Sequence, residues 1–271
     1  MDKSNSSKTS SRYSVVGYWK KAFIPLAFFI LSIVLWQLVI ASKLIPGYIL
    51  PSPWGVVKAL SSSFPLIADH TVVTLIEALS GLGVAILLSI VFAILMDISP
   101  LLKKGMYPLI VISQTVPVIS LAPLIALWFG FGILPKALVV ALVCFFPMVV
   151  NLVEGFDSVD ADMRNLFRSM GARRMQIFRF LKMPAALPGF FAGLRISATY
   201  SIMGAVIAEW LGGEGGLGVY LVRVKHSYDL ERVFAAILVI IVLSMAIFGV
   251  VVILQKVLLP WMRVNKDEII N

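Results

Sequence analysis

A chain of 271 residues that is 60% hydrophobic and only 14% charged lies outside the range of soluble domains, which carry about 25% charged residues. Its formal charge of +9 comes from short Lys/Arg clusters between apolar runs, the pattern of membrane orientation rather than of nucleic-acid binding. The single cysteine, Cys144, excludes an internal disulfide framework and a Cys-based metal cluster.

The chain opens with MDKSNSSKTSSRYS, polar and Ser-rich, which reads as disordered within an N-terminal tail of residues 1–21. A membrane-spanning helix needs about 20 mostly apolar residues. The first candidate is Ala22–Ala41, which carries no charge. Lys20 and Lys21 precede it, but its apolar core exceeds that of a signal peptide and no small-x-small cleavage site follows, so it reads as an uncleaved helix. The outer segment Leu44–Phe64, rich in Pro and aromatic residues, is expected to hold a short interfacial helix.

The second span is Ala78–Met96, extended back through Glu77 toward Thr71. Pro108, Pro117 and Pro123 punctuate the long uncharged stretch that follows, and a kinked third helix from about Tyr107 to Trp128 is expected, then a turn at FGFGILP. The fourth span runs from Lys136 to about Val153, the fifth from about Pro188 to Trp210, and the sixth from Val233 to Gln255. The expected domain plan is the tail, a first helix with its outer loop over 22–70, a core of five helices over 71–256, and a C-terminal tail over 257–271.

Lys and Arg counts set the orientation. With the N-terminus inside, segments 1–21, 97–106, 154–187 and 256–271 hold sixteen basic residues, against six in the outer segments. Both termini are therefore expected in the cytoplasm.

The longest inner loop contains RSMGARRMQIFRFLKMPAALPGFFAGLR, residues 168–195. Met163, Leu166, Phe167 and Met170 fall on one helical face, Gly171 breaks the run, and Met175, Phe178 and Leu181 recur at three-residue steps. Two short amphipathic helices joined at a glycine are expected, the second stopping at Met183-Pro184 because proline disfavours helix in the residue before it. Such a hairpin could lie in the headgroup layer, fix topology through its arginines, or dock a soluble partner.

The loop resembles the cytoplasmic loop of ABC-importer permeases, whose pattern is roughly E-A-A, three residues, Gly, about nine residues, then I-x-L-P. Gly171, Ala172, Phe178 and Met183-Pro184 occupy the glycine, small, aromatic and Leu-Pro positions. PAALPGFFAGLR (184–195), Ala208-Glu209, GGLG (215–218) and VPVISLAPLIALWFGFG (116–132) are similar to the branch that includes nitrate, sulfonate, taurine and thiamine-precursor permeases. The resemblance covers residues 71 to 256. One departure stands out: Asn165, Leu166 and Phe167 sit where the pattern has E-A-A, and Asp160 and Asp162 are out of register.

The resemblance implies an all-α membrane protein with six transmembrane helices, of type I ABC importer permease (MetI-like) architecture, in the bacterial inner (plasma) membrane. It implies two ABC ATPase subunits docked on residues 157–184, an extracytoplasmic substrate-binding protein on the outer loops, a second copy of the chain as homodimer partner, and the lipid bilayer as surroundings, with no nucleic acid. The ATPase-coupling loop would be carried by Asn165, Leu166, Phe167, Met170, Gly171, Ala172, Arg173, Gln176, Phe178 and Pro184. The candidate translocation path is Gln114, Pro117, Ser120, Pro123, Tyr200 and Glu209. The substrate class would be a sulfonate, nitrate, taurine or thiamine precursor. No cofactor is expected in this chain, and no enzymatic activity, since no Walker sequence occurs and ATP would be hydrolysed by a separate subunit.

The remaining features have plainer readings. GEGGLG (213–218) matches G-x-G-x-x-G but follows a membrane helix on the outer side, so it reads as a flexible outer turn in a gate or docking face rather than a dinucleotide fingerprint. Glu77, Arg195 and Glu209 lie in or beside spans, where ionisable groups default to functional roles, yet each is close enough to a span end to reach water. His70 and His226 read as isolated, solvated outer residues, and no spacing suggests a metal site. The alternative class, an ion-coupled secondary transporter, would call for inverted repeats and midplane charges, and the sequence displays neither.

Overall fold

In a computed structural model, residues 10–42, 45–46 and 49–263 are described, with side chains over 23–42, 45–46 and 49–261. Residues 1–9, Lys43 and the tail 264–271 lie outside the described residues, as do the side chains of Lys20 and Lys21. Everything described is helix or connection. α1 (Ser10–Ala41) begins inside the Ser-rich stretch read as disordered. From Phe23 to Ala41 it buries none of its residues, consistent with a sequence apolar on every side. Its Trp36 ring lies 5.9 Å from Phe234.

α2 (Pro53–Ser62) is the short helix expected between the first two spans. Ser52 caps it by accepting the Gly55 N–H at 3.0 Å, with proline at the first turn where no donor is needed. It is not only interfacial: Val56 and Ala59 are buried in the same core as Ala235 and Ala236.

The centre of the molecule is three long helices, α3 (Phe64–Ile98), α6 (Ile133–Asp157) and α9 (Met183–Glu209). Their facing sides carry small residues, and this sets the spacing. An added Cβ on Gly81 would stand 2.5 Å from the Ala137 carbonyl, one on Gly155 2.8 Å from the Ala186 Cα, and one on Gly189 2.6 Å from the Asn151 carbonyl. Backbones this close suit a membrane interior, where helices gain from packing rather than from the hydrophobic effect. Hydrogen bonds cross the same seam: Ser197 Oγ donates to the Cys144 carbonyl at 2.8 Å, and Ser89 Oγ to the Phe145 carbonyl at 3.2 Å. Cys144 is buried there, as a small core residue. α11 (Leu230–Leu258) packs on α9 and α2 and buries few residues of its own.

Two expectations need correction. The third span is not one kinked helix: α4 (Pro100–Ser113) and α5 (Val118–Phe129) are bent by 101° across residues 114–117. Pro117 has no N–H to continue the ladder and holds Val116 out of helical geometry, so the chain turns there. Five helices are long and apolar enough to cross a membrane, and six spans result when α4 and α5 count as one broken span. Nor does the hairpin stop at Pro184. α8 (Arg174–Ile177), a π-helical turn Phe178–Lys182, and α9 form one continuous helical run. The Met183 N–H donates to the Phe178 carbonyl, one residue further back than in an α-helix. The widened turn precedes Pro184, which sits in the first turn of α9 where its missing N–H costs little.

Candidate functional site

Three features compete for function: the hairpin of residues 161–182, a cleft beside the broken span, and a polar cluster under the GEGGLG turn. The hairpin is built on α7 (Ala161–Ser169), capped by the Asp160 carboxylate, which accepts the Asp162 N–H at 3.1 Å. α7 ends in a Schellman turn: Gly171 N–H donates to the Arg168 carbonyl at 2.9 Å and Ala172 N–H to the Phe167 carbonyl at 3.0 Å. Gly171 has φ +81°, a backbone region that suits glycine. Gln176 then accepts the Arg173 N–H at 2.7 Å and fixes the entry to α8.

Of the predicted loop residues, Asn165, Leu166, Met170, Gly171, Arg173, Gln176 and Pro184 are exposed, whereas Phe167, Ala172 and Phe178 are half-buried. Phe178 faces the Phe156 ring of α6 at 5.5 Å. Met170 is 76% exposed, and Met175 and Phe180 are similarly open, so the hairpin presents apolar side chains that no other described residue covers. It is tied to the bundle from beneath: Lys182 Nζ donates to Asp97 at the end of α3 at 2.6 Å, and Lys103 of α4 pairs with Asp157 at the end of α6. A displacement of the hairpin would therefore be transmitted to α9 through a continuous helix and to α3 through an ion pair.

The cleft has a volume of about 520 Å³ and lies between the α4–α5 break, α6 and α9. Of the residues predicted for the path, Gln114 and Tyr200 line it together, joined by Pro147, the proline inside the fourth span, and by Ser113, Phe146 and Asn151, which the sequence pattern does not single out. Pro117 sits at the bend; Ser120 and Pro123 are exposed on α5 and do not line the cleft. Asn151 lies one helical turn after Pro147 and donates its amide N–H to that carbonyl at 2.7 Å.

Glu209 is not on this cleft. It belongs to the third feature, where several sequence readings are overturned. His70 is 7% exposed rather than solvated, Glu77 and Glu209 are each 1% exposed rather than reaching water, and Lys136 is 6% exposed rather than an outer-loop charge. The GEGGLG turn is clasped by them. Gly216 N–H donates to His70 Nδ1 at 3.0 Å, Leu217 N–H to Thr74 Oγ1 at 2.8 Å, and Gly218 N–H to Glu209 Oε2 at 2.5 Å. These are the first free donors of α10 (Leu217–His226), a helix end that favours a carboxylate. Thr74 Oγ1 in turn donates to Glu209 Oε1 at 2.7 Å, and Lys136 Nζ donates to Glu77 Oε1 at 2.7 Å. Gly216, at φ +113°, leaves no room for a side chain, since a Cβ there would overlap the Glu209 carboxyl group.

The clasp makes a testable link. Thr74→Val keeps the shape but leaves the Leu217 N–H without its acceptor, a cost of about 1–3 kcal/mol. Hydrogen exchange at Gly216–Gly218 is expected to quicken, with the spans unaffected; unchanged exchange there would show that the hydroxyl does not hold the loop. His226 is exposed at the end of α10, and Arg195 is half-buried on α9. Among the described residues no group of three or more His, Cys, Asp or Glu side chains could hold a metal ion.

The chain is similar to known proteins over most of its length. Residues 85–264 match the family described as binding-protein-dependent transport system inner membrane component. The chain is 38% identical over 245 residues to a formylaminopyrimidine transport permease protein of Halalkalibacterium halodurans, covering 90% of this chain and 97% of that one. It is 31% identical to a riboflavin transport system permease protein of Chloroflexus aurantiacus, covering 90% and 91%, and 30% identical to a taurine transport system permease protein of Escherichia coli, covering 83% and 85%. The matched region spans the broken helix, the hairpin and the clasped turn, and the chain belongs to the binding-protein-dependent transport system inner membrane components, as an ABC transporter permease subunit for small solutes.

Proposed function

We propose that this chain is the membrane subunit of an ATP-driven importer, acting as a homodimer with the solute path at the interface between the two copies. Two ATPase subunits dock on residues 157–184 from the cytoplasm, where both termini also lie, and hydrolyse the ATP. An extracytoplasmic binding protein delivers the solute to the outer face, close to the clasped turn. Nucleotide-driven closure of the ATPases moves the hairpins and, through α9 and α3, opens the cleft alternately to either side.

The observation that carries this reading is the exposed apolar row of the hairpin, Leu166 and Met170 at the end of α7 and Met175 and Phe180 on the helical run that continues into α9. Methionine and aromatic side chains of this kind are typical of interface cores. The five arginines from Arg164 to Arg179 add a basic surface suited to an acidic groove.

Thiol labelling tests docking and orientation together. Cys144 is the only native cysteine and is buried, so Met170→Cys supplies one accessible thiol. A membrane-impermeant maleimide is expected to label it in inside-out vesicles and not in intact cells, and to be blocked at least tenfold when the ATPase is bound. Labelling from outside would reverse the topology, and labelling unaffected by the ATPase would move the docking site elsewhere.

A further inference from the structure

The GEGGLG turn lies at the opposite end of α9 from the hairpin, and the helices between them touch at backbone distance. Arg174–Glu209 is one helical run of 36 residues, about 54 Å long at the helical rise. The hairpin supplies its first residues and Glu209 is its last. Along it, an added Cβ on Gly189 would stand 2.6 Å from the Asn151 carbonyl, and one on Gly193 2.9 Å from the Pro147 carbonyl. α6 meets α3 as closely at Gly81, where the buried Lys136–Glu77 pair also joins the two helices. Helices in contact at this distance cannot slide past one another without backbone clashes, so α3, α6 and α9 move as one body. α4 and α5 stand apart from it, burying only Ile110 and Ala122.

The turn is joined to this body from two sides. On the α9 side, a Cβ on Gly218 would lie 2.4 Å from the Val206 carbonyl, and the Glu209 carboxylate accepts the Gly218 N–H. On the α3 side, His70 Nδ1 and Thr74 Oγ1 accept the Gly216 and Leu217 N–H groups. Thr74 Oγ1 also donates to Glu209 Oε1, so a single hydroxyl connects the turn, α3 and α9. Without that hydroxyl the turn keeps its seat on α9 but loses its tie to α3 at Leu217. Thr74 and Glu209 do not line the cleft, so a role in transport does not come from touching solute there.

We propose that Thr74 and Glu209 are positioning residues for transport, fastening the GEGGLG turn to the α3–α6–α9 body so that a displacement of the hairpin reaches the opposite face of the membrane. This step rests on the reading of the hairpin as the ATPase-docking element. The turn is then part of the moving body rather than a gate that parts from α3. Through the same body, a binding protein that presses on the turn is felt by the ATPases.

Val73 and Gly215 allow the fastening to be remade by oxidation. Both are half-buried, Gly215 is not among the glycines at positive φ, and a Cβ added to it would stand 3.9 Å from the Val73 Cβ. The Cβ atoms of a disulfide are about 3.8 Å apart, and the sole native cysteine, Cys144, is buried. The chain carrying Val73→Cys and Gly215→Cys is reconstituted in lipid vesicles with its own ATPase and binding protein, with and without Thr74→Val. ATP hydrolysis is measured with the binding protein present and absent, before oxidation, after it, and after reduction. The expected result is a disulfide that forms and leaves the response to the binding protein intact. Thr74→Val is expected to lower that response by about fivefold or more with the ATPase still bound, and oxidation to restore it. Oxidation that abolishes the response of the chain with native Thr74 overturns the proposal, because the turn would then have to part from α3. So do a Thr74→Val chain that responds like its parent, one that oxidation does not restore, and a cysteine pair that does not close. A native chain that binds no ATPase, or whose ATPase ignores the binding protein, overturns the importer reading itself.

Discussion

Gly81→Leu is expected to destabilise the three-helix centre, while Gly83→Leu, two residues along the same helix, leaves its stability nearly unchanged. The two substitutions share the same helix and similar helix propensities, so the difference isolates packing. A Cβ at position 81 would meet the Ala137 carbonyl oxygen and the Val140 Cβ, both at 2.5 Å, whereas nothing lies within 4 Å of one at position 83. The first contact includes backbone, which cannot rotate away, so α3 and α6 must separate. Separation undoes more than the one contact, because Ala78, Leu82 and Ala85 share the buried surface with Val140 and Cys144. Overpacking costs about 1–3 kcal/mol and occasionally more, and a seam made of backbone against backbone belongs at the upper end. The thermal midpoint of the detergent-solubilised protein is expected to fall by roughly 6–12 °C for Gly81→Leu. Equal midpoints for the two variants would show that the helices are not packed at this distance.

Lys136→Met is the second large effect. Lys136 and Glu77 are both almost fully buried, and the second carboxylate oxygen of Glu77 has no hydrogen-bond partner. Removing the ammonium leaves the Glu77 carboxylate buried without its ion-pair partner. Breaking a buried pair from one side costs about 3–5 kcal/mol, whereas replacing both members with apolar residues of similar volume is often neutral. The double variant Lys136→Met with Glu77→Leu is therefore expected to recover most of the lost thermal stability. Because Lys136 Nζ also lies 3.5 Å from the Gly215 carbonyl, the single variant is expected to speed hydrogen exchange in the clasped turn as well. A single variant as stable as the native protein, or a double variant no better than the single, would show that the ion pair is not what holds α3 to α6.

How far these features can be read from the sequence depends on how local their causes are. The spans are legible because each is an uninterrupted apolar run, and the hairpin is legible because Gly171 divides two periodic stretches. Pro117 marks a bend, yet the sequence does not distinguish a kink within one helix from the 101° turn found. Pro184 misleads for a physical reason: proline is tolerated in a first helical turn, and the π-helical turn before it lets α8 continue into α9. The clasp is the least legible part. Glu77 and Lys136 are 59 residues apart, Thr74 and Glu209 are 135 apart, and His70 and Gly216 are 146 apart. A charge beside an apolar run looks the same whether it reaches water or a buried partner on another helix. In the cleft, Gln114 and Tyr200 stand out as polar residues in or next to apolar spans. Asn151 escapes notice because it closes the span, although its spacing of one helical turn from Pro147 hints that it serves the kinked backbone.

The coupling role of the hairpin is tested most directly by co-purification of the ATPase with the tagged native chain and with Gly171→Asp. Position 171 is exposed with nothing within 4 Å, so the aspartate is tolerated apart from its positive φ, a local cost of about 1 kcal/mol. It places a carboxylate at the tip of a basic, apolar docking element. The native chain is expected to carry a stoichiometric ATPase, and the variant to lose at least nine-tenths of it while keeping the same thermal midpoint. A native chain that brings no ATPase, or a variant that keeps its full share, would contradict the account.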